Sequence, residues 1–461
     1  MPKSVSVSVL GELRRQIIDS AATHRADSRN ARAAQLVRIA LPYPETDPLG
    51  WLAVNKSDVQ IYWSGRHESL EVAGIGCADS VDKAASLDYN VVLQRLRSAI
   101  DSGPGDLRYY GGIRFDRYHP GSPEWRTFSA YRFWLPRFEL HRDGGRSRII
   151  CNLFFPEDQT RIDRIIGELD QLSDPEVAVT PTNRDLRVLK RIDYPDRDGW
   201  DSTMSWALDA FRSAELEKIV LARRSDLTFG KTLDPVDLMA RLRALTHDCY
   251  HFLFQPEAGR IFIGSSPERL VSRSGRYVAT EAVAGTRPRG DSPDSDAALA
   301  SQMLKSEKDR REHEFVRRSV AAAMAPLCTS FQQDQTISVM RLASRMHLFS
   351  SMWGTLNDGV TDADLMRALH PTPAVGGVPT KVAIEAIAYH EPFDRGWYAG
   401  PVGWIGTDSS EFAVGIRSAL VGRNTLSLYA GAGIVEGSVA SDEWDEVEQK
   451  ISDFLQALAG S

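Results

Sequence analysis

Apolar residues recur along this chain in two rhythms, and the change from one to the other marks its elements. In "SDEWDEVEQKISDFLQALA", Trp444, Val447, Ile451, Phe454, Leu455 and Leu458 share one arc at a 3.6-residue period, which predicts a helix buried along that arc. Ile162, Ile165, Ile166 and Leu169 predict another over residues 161–172. Further helices are expected in "DSTMSWALDAFRSAELEK" and over residues 294–324 and 362–368. Elsewhere the pattern is strand-like. "KIVLARRSDLTF", "YHFLFQPEAGRIFIGSSPERLVSRSGRYVATEAVAG", "GWYAGPVGWIG" and "EFAVGIRSALVGRNTLSLYAGAGI" read as strands separated by Gly, Pro or Ser turns. "YRFWLPRFEL" and "SRIICNLFF" flank Asp143-Gly144-Gly145, a hairpin signal.

Strands clustered around inserted helices predict an α+β fold, with large antiparallel sheets and helices packed on their outside. No G-x-G-x-x-G leads from a strand into a helix, so a dinucleotide-binding unit has no support. The polar, proline-bearing stretch "SDPEVAVTPTNRDLRVLKRIDYPDRDGW" reads as a connection. It divides an N-terminal α+β region, residues 1–195, from a second region, residues 196–461, the two packed as one unit.

Composition narrows the partners. The 461 residues are 42% hydrophobic and 25% charged, ordinary for a globular chain. A formal net charge of −7 without a Lys/Arg cluster argues against nucleic acid or an anionic membrane. An anionic ligand would therefore need local cations or a metal. Cys77, Cys151, Cys249 and Cys328 form no CxxC pair, and the N-terminus has no apolar signal core. A cytoplasmic protein is the expectation.

Several charges sit where a core or cleft is expected. On the terminal helix Glu443, Glu446 and Lys450 lie together at the border of the apolar arc, while Asp442, Asp445, Glu448 and Gln449 look solvated. One reading is a helix surface with an i,i+4 Glu446–Lys450 pair. The other is a metal site. In "SEKDRREHEFVRRSVAAAM", Glu312 precedes an inward stripe of Phe315, Val316, Val320, Ala323 and Met324, and an inward carboxylate needs a cation. Should the two helices meet, Glu312, Glu443 and Glu446 form a hard oxygen site suited to Mg²⁺. Lys218 shares strand parity with Val220 and Ala222, so it is either a strand-edge lysine or a cleft lysine fit for general-base work. Glu268 stands where an apolar strand breaks at Ser-Ser-Pro, either as a turn carboxylate or aimed into a cavity. Arg417, read as an interior-strand arginine, calls for an anion.

In order, "KIVLAR", "GSSPERLV", "AGTRPRG", "KDRREHEFV", "HPTPAVGG" and "AGAGIV…DEWDEVEQK" resemble the motifs of chorismate-utilising enzymes. That family includes isochorismate, salicylate, anthranilate and aminodeoxychorismate synthases. The likeness runs from Trp200 to the C-terminus, with a softer match of "RFWLPRFEL" to long isochorismate synthases.

The resemblance implies Mg²⁺ on Glu312 and Glu446, with Glu443 bound directly or through water. Arg417, Lys450, Tyr398 and the backbone of Gly431, Ala432 and Gly433 would grip the carboxylates of chorismate. Gly285 and Thr286 would line the ring pocket, with His347 nearby. Lys218 would be the base that activates water, and Glu268 the acid that protonates the departing hydroxyl. Ala374 stands where the pyruvate-expelling and amine-using relatives carry threonine, so the resemblance implies a reaction that stops at isochorismate. Salicylate synthase is the alternative, and an inactive metal-binding scaffold a third reading that the full set of residues opposes. Menaquinone and siderophore pathways both fit. No glutaminase subunit is expected, and the chain is expected to be a monomer or weak homodimer.

Overall fold

Helices and strands take similar shares of the chain, and the strands find one another edge to edge across the sequence. In this computed structural model, which describes residues 2–27, 35–66, 70–83, 88–100, 103, 105–116, 119, 121–174 and 186–459, they build two sheets of 12 and 10 strands. In the larger sheet Gln60–Ser64 pairs antiparallel with Tyr250–Gln255. That pairing joins N-terminal strands such as Arg146–Phe155 to Ile261–Ser266, Ser418–Val421, Thr425–Val435 and Lys218–Phe229. In the smaller sheet Arg108–Ile113 pairs with Pro401–Gly406, so this sheet too runs through both regions. The joining strands Gln60–Ser64 and Tyr250–Gln255 are buried at every position, as strands covered on both faces must be. Aromatic residues fill the space beside them, with Phe128 edge-on to Trp397 at 5.0 Å between centroids.

The chain changes sheets at three informative places. Tyr131–Leu135 belongs to the smaller sheet and Phe138–Asp143 to the larger, so the expected single strand "YRFWLPRFEL" is two. Pro136, without an N–H for a ladder, marks the break. Ile261–Ser266 passes from the larger sheet into Arg269–Ser274 of the smaller through residues 267–268. Ser409–Val414 returns to the larger sheet as Ser418–Val421 through residues 415–417.

Other elements also differ from expectation. The helix expected over residues 294–324 divides into Pro293–Lys305 and Glu307–Met324, because extended Ser306 caps the second by accepting from the Asp309 N–H. The inward face of Glu307–Met324 is Asp309, His313, Val316, Val320 and Met324, with Phe315 and Ala323 on its flanks. Asp309 and His313 can turn inward because Arg287 and Ser350 meet them. Of the expected connection, residues 175–185 lie outside the described residues. Val188–Tyr194 is a strand paired with Lys218–Phe229. The hairpin turns at Gly144 and Gly145, both at positive φ, 54° and 77°. Terminal helix Ala440–Ala459 buries Val447, Ile451, Phe454 and Leu458 as expected, with Trp444 and Leu455 half-buried at the margins. No helix among the described residues is long and apolar enough to cross a membrane.

Candidate active site

The second and third crossings lie side by side. The Ser265 N–H donates to the Arg417 carbonyl at 2.9 Å, and the Val414 N–H donates to the Glu268 carbonyl at 3.0 Å. At this seam opens a cavity of about 670 Å³, lined by Glu268 and Arg417 from the crossings and by residues from strands and helices around them. Arg417 is therefore not an interior-strand residue. It occupies the bend between strands at φ 50°, a conformation costly for a side chain that is not glycine. Its guanidinium is only loosely met by Asp453, 3.7 Å away, and remains free to hold an anion.

Glu268 is 5% exposed, and no hydrogen bond holds its carboxyl among the described residues. Burial, then the neighbouring charge of Glu281, raises its pKa to about 8 against the pull of Lys218, Lys450 and Arg66. It is a protonated acid at neutral pH. Lys218, wholly buried, starts the strand Lys218–Phe229 and places Nζ 3.2 Å from Glu312 Oε1. It sits just behind the cavity wall, which Val220, Glu312 and Gly433 form around it. A Cβ on Gly433 would stand 2.2 Å from Glu312 Oε1 and 3.3 Å from Lys218 Cε, so glycine leaves the room this pair needs.

The motif "AVAGTR" bulges out of the strand Tyr277–Pro288, with register lost between Ala284 and Arg287. Gly285 makes the turn at φ 70°. The His347 Nδ1–H donates to the Gly285 carbonyl at 2.8 Å, and Thr286 Oγ1 stands 3.3 Å from the same nitrogen. Burial lowers the His347 pKa to about 4 despite that bond, so the ring is neutral. Its Nε2, buried without a partner, is an acceptor for a ligand hydroxyl. Tyr398 closes one side; burial pushes its pKa up, so its hydroxyl remains a donor. Ala374 and Val375 add an apolar wall.

Gly431 and Gly433 face the cavity, but Ala432 does not join them. Ala432 is wholly buried, outside the lining, and paired with Leu221 in the neighbouring strand. These glycines also do more than expose N–H groups: the Gly431 carbonyl accepts from Lys450 Nζ at 2.8 Å. Lys450 also pairs with Glu446 at 2.6 Å.

The metal reading can be tested against the carboxylates. Glu312 and Glu446 line the cavity, whereas Glu443, 1% exposed, lies outside its lining. Each holds a lysine: Glu312 holds Lys218, Glu446 holds Lys450, and Glu443 accepts from Lys308 at 2.8 Å. Among the described residues no three His, Cys, Asp or Glu already stand at metal-ligand spacing. Burial raises the Glu443 pKa, and the charge of Glu446, one turn further along the same helix, raises it further. Glu443 holds the Lys308 ammonium, and the charges of Glu446 and Glu312 favour it as well. Hard carboxylate oxygens without His or Cys suit Mg²⁺, and the residues fit it.

Sequence reasoning missed Lys308, although its place four residues before Glu312 puts both on one helix face. It also missed Glu281, a glutamate within an apolar strand, and read Glu448 as solvated. Glu448 in fact accepts from Arg191 and Arg223.

Comparison with known proteins assigns the chain to a family. The family model described as chorismate binding enzyme matches residues 21–459, and the chain belongs to that family. It is 36% identical to the chloroplastic isochorismate synthase of Catharanthus roseus, over 84% of this chain and 68% of that protein. It is 34% identical to isochorismate synthase MenF of Escherichia coli strain K12, over 91% of this chain and 93% of that protein. A solved structure of the menaquinone-specific isochorismate synthase MenF from Escherichia coli superposes with a TM-score of 0.81 at 29% identity, covering 96% of this chain and all (100%) of that one.

Proposed function

We propose that this protein is an isochorismate synthase, an isomerase that moves the ring hydroxyl of chorismate. The observation that carries the reading is the pairing of a buried, protonated Glu268 with a buried Lys218 at one cavity. Lys218 takes a proton from water as the water oxygen bonds to ring carbon C2. The ring double bonds shift, the C4–O bond breaks, and Glu268 protonates the departing oxygen, which leaves as water. One water enters and one leaves, so the change is an isomerisation. Arg417 and Lys450 bind substrate carboxylates, His347 Nε2 accepts a hydroxyl proton, and Tyr398 donates. Mg²⁺ held by Glu312 and Glu446, with Glu443 behind them, would polarise the ring carboxylate. The similarity to isochorismate synthases and the alanine at 374 support a reaction that stops there. The product would feed menaquinone or catechol siderophore synthesis.

The test is one chromatogram of the protein incubated with chorismate and Mg²⁺. Isochorismate alone is expected. Salicylate with pyruvate would reassign the chain as a salicylate synthase, and unchanged chorismate would leave a scaffold.

A further inference from the structure

Behind Glu268, away from the cavity, lies a buried charge pair that the reaction does not use directly. Glu281 belongs to the strand Tyr277–Pro288 and shares parity with Val283 and Gly285, which line the cavity; it lies one step deeper. Its Oε2 accepts from Arg66 Nη2 at 2.6 Å and from the Arg269 backbone N–H at 3.4 Å. Its Oε1 lies 3.2 Å from Arg269 Nη1. The backbone N–H belongs to the peptide that joins Glu268 to Arg269, so Glu281 grips the chain immediately beside the acid. Arg66 reaches in from the N-terminal region, with its face over the Tyr250 ring and its Nε buried without a partner. Both members are nearly inaccessible, Glu281 5% and Arg66 9% exposed.

We propose that Glu281, balanced by Arg66, is a positioning residue for the general acid: it anchors the Glu268–Arg269 peptide, and its charge keeps the proton on Glu268 until the C4 oxygen takes it. The other charged groups around Glu268 are Glu312, Arg417, Glu446 and Lys450 at the cavity, Lys218 just behind its wall and Arg269 next in the chain; His347 across the cavity is neutral, and Glu411 faces Arg66, Arg269 and Glu281. Those at the cavity gain or lose partners as ligands enter. Glu281 and Arg66 lie outside the lining, so their influence is constant through the cycle. A buried anion beside a carboxylic acid opposes its ionisation, and a buried cation favours it. The two members of this pair therefore push the acid in opposite directions.

The inference rests on Glu268 being the acid, and the test separates the two. In the full-length protein, infrared titration reads the protonated-carboxyl band that Glu268→Gln removes, alongside the alkaline limb of kcat/KM. Glu281→Gln should move the midpoint and the limb down by about one pH unit, and Arg66→Met should move them up by a similar amount. Arg66→Lys, which keeps the charge, should restore the wild-type position. Midpoints that stay in place, or move the same way in both variants, would overturn the inference. Glu281→Gln decides alone should Arg66→Met not fold. A wild-type spectrum that loses no such band in Glu268→Gln would overturn the acid assignment and the inference together.

Discussion

Two concavities in this molecule differ instructively. The second, of about 1000 Å³, is larger than the seam cavity and includes Glu124, Arg224, Glu391, Asp394 and Arg395 in its walls. Its charges are committed to one another. Arg395 donates to Glu391 at 2.7 Å, Arg224 to Glu124 at 3.1 Å, and Asp394 accepts from Arg114 at 2.7 Å. In the seam cavity a protonated Glu268 has no partner, His347 Nε2 accepts nothing, and Arg417 is loosely met. Space does not make a site. A buried acid and an arginine that face the space without a close partner do, because their desolvation is only offset when a ligand arrives.

Substitutions can break or sharpen that contrast. The largest effects belong to the base and acid. Lys218→Ala and Glu268→Gln should each cut turnover by ~10²–10⁴-fold, with chorismate affinity by calorimetry little changed. Near-normal turnover in either would remove it from the reaction. Glu268→Gln has a second signature. A carboxyl with a raised folded pKa keeps its proton where the unfolded chain releases it, so stability falls as pH climbs from the ordinary carboxyl value of 4.5 to about 8. The glutamine variant escapes this loss and should be more stable than wild type at pH ~9, by on the order of 1–3 kcal/mol in urea titrations. Wild-type activity should decline as pH rises through about 8.

Glu446→Gln comes next. Mg²⁺ titration calorimetry should show at least ~10-fold weaker binding, and unchanged affinity would move the metal elsewhere. Lys308→Met acts in the opposite direction. It removes the ammonium that now holds Glu443 and should tighten Mg²⁺ binding by about 2–5-fold, the scale of a partly exposed ion pair. Weaker binding would make Lys308 a support of the site rather than a competitor. The smallest effect on catalysis belongs to the larger concavity. Arg224→Met should lower stability by about 1–3 kcal/mol yet leave kcat/KM unchanged, and a loss of activity there would erase the contrast.

Much of this was legible in the linear chain, though unevenly. The terminal helix was readable because its apolar period is long and uninterrupted, and the wheel located Glu446 and Lys450 at its border. Glu268 was readable because Ser-Ser-Pro breaks an apolar strand. What escaped was what depends on sheet membership. The resemblance implied a role for the backbone of "GAG" as a run, and only the sheet shows that Ala432 stands outside the cavity lining. "FAVGIRSAL" has no proline or paired glycines to betray the bend at Arg417. Arg66 and Glu281 are 215 residues apart, and only the folded sheets bring them together.

Both sheets are stitched across the boundary near residue 196, through Gln60–Ser64 on Tyr250–Gln255 and Arg108–Ile113 on Pro401–Gly406. Severing the polypeptide there would strip each fragment of neighbours for two interior strands and expose raw, sticky borders. Neither half should be soluble when expressed by itself, and the two supplied together should reassemble by strand addition. Evolution can lengthen the loops of such a molecule, but it cannot hand its two halves to separate genes without supplying each with a new edge.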